Sequence, residues 1–213
     1  MIRYAAVLLY AVSAVALGAS GNLSKVNGSI DVEAGQEAGD VETVNGSITI
    51  GSGARVREVE TVNGSIRLET RATAQSVETV NGAITLGEEV VVGDGANTVN
   101  GKVTVMRGAQ VSGGLENVNG EFRLEGATVR GGIETVNGDV FVGSGSRVDG
   151  GIRVEKTTGG WWSKSERLPR ITIESGAEVN GPLRFEREVD LYVGAGVVIG
   201  AVEGVAPRRH ELP

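Results

Sequence analysis

The tripeptide Val-Asn-Gly constrains this chain more than any other feature. In an unbroken run it recurs at Val26, Val44, Val62, Val80, Val99, Val118 and Val136, where the asparagines stand 18, 18, 18, 19, 19 and 18 residues apart. A self-similar period this short and regular is the mark of a solenoid, in which each repeat is one turn of a coil.

A finer period runs inside it. Val26, Val32, Ala38, Val44, Ile50, Val56, Val62, Leu68, Ala74, Val80, Leu86 and Val92 form an unbroken apolar series at every sixth residue, and Ile30, Ile48, Ile66 and Ile84 each precede a member of it by two. That i, i+2 relation is strand alternation, whereas a helix would need i+3 and i+4. Three sixes make one eighteen, which predicts an all-β, three-sided parallel β-helix whose six-residue series points inward from each side in turn. Within residues 41–58 this places strands at 41–44, 47–50 and 54–56, with corners at Asn45-Gly46, Gly51-Ser52-Gly53 and Arg57-Glu58. Gly and Asn are expected there to supply positive φ. Asn-Gly between apolar runs is also a hairpin signal, but seven hairpins in a row would not carry the six-residue series through all three faces.

Residues 20–205 are expected to form one solenoid domain of nine to ten rungs, a rod of about 45 Å at roughly 4.8 Å per rung. Length varies only at corners, where Gly113-Gly114 and Gly131-Gly132 take up slack. Lys156 stands where asparagine has been, and residues 157–170 leave the coil as an inserted loop holding Trp161 and Trp162. The series resumes with Ile171 and Ile173, then Val179, Phe185, Leu191 and Val197. Residues 206–213, polar and with two prolines, read as a flexible tail.

Residues 1–19 carry one cation, Arg3, ahead of an apolar run at 4–17 broken only by Ser13, and small residues follow. This reads as a secretory signal peptide; the alternative, a retained membrane-spanning anchor, would need roughly 20 apolar residues. The mature chain would then hold no integral membrane segment and lie in the periplasm or at the cell surface. There is no cysteine, so neither a disulfide framework nor a lipidated cysteine is available. Without Arg3 there are 19 cations against 27 acids, a balance that disfavours nucleic acid or an anionic membrane as partner.

The repeated Val-Glu-Thr-Val-Asn-Gly-Ser-Ile resembles the solenoid repeats of the bacterial putative-adhesin family of unknown function. Residues 176–204, from Gly-Ala-Glu-Val-Asn-Gly-Pro-Leu onward, resemble the rungs of bactofilins, bacterial polymer-forming cytoskeletal proteins. Together the two resemblances cover nearly the whole mature chain. Bactofilins form right-handed three-sided β-helices that polymerise end to end without nucleotide, and that resemblance implies the same handedness here, although a signal peptide departs from the bactofilin pattern.

Enzymatic readings lack residues. A hexapeptide acyltransferase needs a histidine base near a rung edge, and His210 in the tail is the only histidine. The aspartates do not stack at the rung period, as a glycoside-cleaving or calcium-dependent β-helix would require. No cofactor is expected. One acidic column recurs three residues before the corner asparagines, at Glu42, Glu60, Glu78, Glu116 and Glu134, with Asn97 interrupting it. It reads as a solvated face that discourages lateral aggregation, or as a weak cation- or partner-binding stripe. Thr43, Thr61, Thr79, Thr98 and Thr135 are expected to be exposed beside it.

The column Asn27, Asn45, Asn63, Asn81, Asn100, Asn119 and Asn137 is expected to form a structural amide ladder at the corner; on that reading Asn81→Ala costs more stability than Thr79→Ala. Trp161 and Trp162 either cover the rung that lost its asparagine or dock a partner or sugar face. The sequence therefore points to a non-enzymatic, self-assembling structural β-solenoid of the bacterial cell envelope, its partner most simply itself end to end, with an envelope polymer or protein as a further candidate. The alternative is a monomeric surface adhesin or glycan- or partner-binding solenoid.

Overall fold

The computed structural model of the chain describes residues 21–156 and 167–212. The described residues form 27 strands and no helix. The strands stack into three sheets of ten, ten and seven, and each strand pairs in parallel with its equivalent one rung away. Sheet 1 runs from Leu23–Asn27 through Val41–Asn45 to Val202–Gly204, and sheet 2 from Ile30–Val32 through Ile48–Ile50 to Arg208–Glu211. Sheet 3 is made of two-residue strands from Thr73–Ala74 to Val198–Ile199, extended at its N-terminal end by single bridges Glu37 to Arg55 and Arg55 to Thr73. The protein is a parallel β-solenoid.

Register pairs like with like. Ile48 lies opposite Ile66, Leu68 opposite Leu86, and Val41 opposite Val59. In sheet 2 the lumen side takes two large aliphatics per rung, such as Ile48 with Ile50 and Ile66 with Leu68, all fully buried. Each such burial is worth about 1.5–3 kcal/mol. Phe122 and Phe185 are the largest of the fully buried side chains.

The expected inward series holds in sheets 2 and 3, at Val32, Ile50, Val56, Leu68, Ala74, Leu86 and Val92, but not in sheet 1. There Val41 and Thr43 face the lumen and Val44 faces out, because strand alternation is counted from Val41 and breaks only at the exposed corner residue Asn45. Val62, Val80, Val99, Val118 and Val136 are likewise half-buried on the outer surface, and Val26 is exposed. The threonines read as exposed are the buried ones. A valine would fill the same volume, but a threonine also donates to a carbonyl that the corner leaves inside: Thr43 Oγ1 to Gly28 O at 3.2 Å, Thr61 to Gly46 O at 3.0 Å, Thr79 to Gly64 O at 3.1 Å and Thr98 to Gly82 O at 3.2 Å.

Two further expectations give way. Most asparagine corners do not rest on positive φ: Gly28 and Gly120 have it, but Gly46, Gly64, Gly82 and Gly101 do not, and outside glycine it occurs among the described residues only at Arg71 and Glu89. Glycine is required at those corners by close approach, since a Cβ on Gly64 or Gly82 would lie 1.9 or 1.8 Å from the carbonyl oxygen of the preceding corner glycine. The tail is not frayed either. Arg208–Glu211 adds a tenth strand to sheet 2, paired with Asp190–Val193, because strand edges satisfy backbone groups whatever the side-chain polarity. Residues 1–20 and 157–166, with the leader and both tryptophans, lie outside the described residues.

Candidate functional site

Two columns run along the outside of the coil, and the identical register of successive rungs builds both. The first is at the corner between sheets 1 and 2. Nδ2 of each asparagine donates to Oδ1 of the asparagine one rung earlier, from Asn45 on Asn27 to Asn137 on Asn119, in six bonds of 2.9–3.1 Å. All six point the same way, so the amide dipoles add along the axis. The acceptor end of this chain of dipoles meets a cation. Arg187 Nη1 donates to Asn137 Oδ1 at 2.7 Å and to Val136 O at 3.3 Å, a charge-assisted termination. Arg187 lies fifty residues from Asn137 and belongs to no repeat, so nothing in the sequence marked it. Each interior amide uses one N–H and one carbonyl lone pair between rungs and keeps the second of each on the exposed side.

The second column is the outward face of sheet 1. Glu42, Glu60 and Glu78 stand opposite one another on successive strands, Asn97 follows, then Glu116 and Glu134. Asn97 Nδ2 donates to Glu78 Oε1 at 3.4 Å and relieves repulsion at the interruption. The column ends in cations: Arg153 lies opposite Glu134, and Arg184 opposite Arg153. Arg153 Nη2 donates to Glu186 Oε1 at 2.8 Å, and Arg184 Nε to Glu203 Oε2 at 2.8 Å. Beside the carboxylates runs the valine stripe from Val44 to Val136, so the face alternates acid and aliphatic across its width.

This crowding shifts the carboxyls. Partial burial, then the like charges of Glu78 and Glu42, pushes Glu60 up to about 7. Glu134 is also raised to about 7, by burial first and then by the hydrogen bond and charge of neighbouring Glu155, with Arg153 opposing. Glu42 and Glu116 are raised too, again chiefly by burial. Glu134 Oε1 and Arg153 Nε are buried, 3.8 Å apart and without a hydrogen bond. A shallow groove of about 350 Å³ opens here, lined by Glu116, Glu134, Arg153, Arg184 and the glycines of the sheet 3 to sheet 1 corner. Glu134 and Glu155 share a hydrogen bond here, and among the described residues no group of three or more acids, histidines or cysteines is placed to hold a metal ion.

The outward column of sheet 2 carries no sequence signal of its own. It holds Arg123 over the Phe141 ring at 4.3 Å, Arg170 over Tyr192 at 5.2 Å, and His210 stacked on Tyr192 at 4.4 Å. Phe141 is thus covered by Arg123, and Tyr192 by Arg170 and His210. His210 Nε2 lies 3.1 Å from Asp190 Oδ1 as a surface pair. Asp139 accepts from the Arg167 guanidinium and from Arg170 N at 2.9 Å, which holds the start of the strand Arg170–Ile173 to the preceding rung. No protein-family model matches the chain, and neither a curated protein nor a solved structure matches it.

Proposed function

We propose that this chain is a non-enzymatic structural element of the bacterial cell envelope, exported through its leader, which associates with further copies of itself through the ends of its coil and needs no cofactor. The observation that carries this reading is the pair of unextended sheet edges: Leu23–Asn27 and Ile30–Val32 are the outermost strands of their sheets among the described residues. Edge strands present a row of backbone donors and acceptors that another strand can satisfy. The lateral surfaces support the same reading by contrast, since each interior ladder asparagine spends one amide N–H and one lone pair on its neighbours, and the Tyr192 ring carries Arg170 and His210. Sedimentation velocity and negative-stain microscopy of the purified protein test it. The expected result is a species heavier than the monomer whose population grows with concentration; a monomer at every concentration up to millimolar refutes it.

A second reading has its own observation. The acid-and-valine face of sheet 1 is a continuous strip over six rungs, suited to a monomeric adhesin or partner-binding solenoid that uses a lateral face. Binding to isolated envelope polysaccharide or protein that disappears in Glu60→Gln/Glu116→Gln, with the monomeric mass unchanged, would support this reading in place of the first.

A further inference from the structure

We infer that the strand Arg208–Glu211 closes the C-terminal end of the β-helix to further rungs, so that association between copies runs through the N-terminal edge and stops at a two-fold pair. This rests on the end-association reading and names which end takes part.

Register places the charges. Arg209 lies opposite Leu191 and Glu211 opposite Val193. Leu191 is buried in the core and Val193 packs against it, so alternation places Arg209 and Glu211 over the lumen. The outward residues of the same strand hold it there: Arg208 Nε donates to Glu188 Oε1 at 2.7 Å, and His210 stacks on Tyr192. In every earlier rung the lumen positions of sheet 2 are Ile, Val, Leu or Phe. Sheet 1 weakens at the same end. Its column of lumen side chains passes from Phe185 to Gly204, where a Cβ would lie 2.3 Å from Phe185 O at a φ of 87°. Among the described residues the last rung thus offers two charges and a gap beside Val202, where the others offer a packed aliphatic layer.

A head-to-tail stack would set Arg209 and Glu211 against Ile30 and Val32 of the next copy. Both charges would leave water for an aliphatic surface, and inward-pointing charge is a recognised way to blunt a sheet edge. The N-terminal edge differs. Its sheet 2 positions are Ile30 and Val32, and Lys25, at a lumen register position in sheet 1, turns its Nζ to Ser29 O at 2.7 Å. Two identical edges of this kind meet about a two-fold axis, which leaves no free end of the same type.

The experiment compares the full chain with R209I/E211V, which restores the aliphatic lumen pattern, and with R208I/H210V, which adds similar apolar surface on the outward side. Sedimentation velocity and light scattering across concentration are the readouts, with circular dichroism to confirm the fold. The wild type should stop at twice the monomer mass, R209I/E211V should grow past it into filaments, and R208I/H210V should match the wild type. Should R209I/E211V fail to fold, R209T/E211T replaces it, since threonine already occupies lumen positions in sheet 1. A folded lumen variant that stays at the wild-type mass, or wild-type protein that itself forms open-ended filaments, overturns the cap. A monomeric wild type with a polymerising R209I/E211V supports the cap and overturns the N-terminal pairing instead.

Discussion

Gly82→Ala tests why glycine follows each corner asparagine. The added Cβ would lie 1.8 Å from Gly64 O and 2.5 Å from Gly64 C, against a floor near 3.0 Å for real Cβ contacts, so the two rungs must part locally by about 1.2 Å. Three bonds span that gap: Gly64 N to Asn81 O, Thr79 Oγ1 to Gly64 O and Asn81 Nδ2 to Asn63 Oδ1, each 3.1 Å. Opening all three removes about 1 kcal/mol apiece, and overpacking strain adds about 1–3 kcal/mol. The expected loss is therefore about 4–6 kcal/mol. Gly53→Ala is the control. Gly53 has a φ of 70°, and a Cβ there would meet nothing within 4 Å, so alanine costs only the left-handed conformation, about 1–2 kcal/mol. Guanidinium unfolding of both full-length variants, compared at equal slope, decides between them. If Gly53→Ala proves as damaging as Gly82→Ala, backbone conformation rather than rung approach governs the corners.

Thr79→Ala should cost more than Asn81→Ala: the threonine is buried and loses a methyl with its bond to Gly64 O, about 2–3 kcal/mol, whereas the asparagine is exposed and loses two surface amide bonds, about 1 kcal/mol; equal melting temperatures would contradict this. Asn117 takes a threonine position in the lumen column, where its Oδ1 accepts from Thr135 Oγ1 at 2.5 Å and its buried Nδ2 has no partner. Asn117→Thr should therefore raise stability by about 1 kcal/mol, and a lower midpoint would show that the amide is better satisfied than the geometry allows. Glu60 and Glu134 titrate near 7 when folded but near 4.3 in an unfolded chain. The folded state binds more protons between those values, so stability is full below about pH 4.3, falls as pH rises to about 7 and is level above. Discounted for partial exposure the fall is about 1 kcal/mol per carboxyl; Glu60→Gln should flatten the profile, and a melting temperature that climbs from pH 4.5 to 7 would refute it.

The period of the sequence determined the architecture, because a β-helix has one interior and every rung must present the same kind of side chain to it. A repeat of eighteen residues made each repeat one rung of a coil, and Ile48, Ile66 and Ile84 fell where the lumen needed them. The asparagine column was legible for the same reason: in-register stacking turns any exposed amide repeated at the rung period into a ladder. Tertiary structure decided what the period leaves open. Val44 and Thr43 both suit a strand, and only the carbonyl left inside by the neighbouring corner favours the hydroxyl within and the valine without. The glycine after each asparagine looks conformational in one dimension, yet at Gly46, Gly64, Gly82 and Gly101 its reason is the oxygen of the rung before it, eighteen or nineteen residues away. Arg187 at the end of the ladder, and Arg209 and Glu211 over the lumen mouth, are single residues outside any repeat. Arg187 takes its role from where the ladder stops, and Arg209 and Glu211 from their register with Leu191 and Val193, which no local pattern encodes.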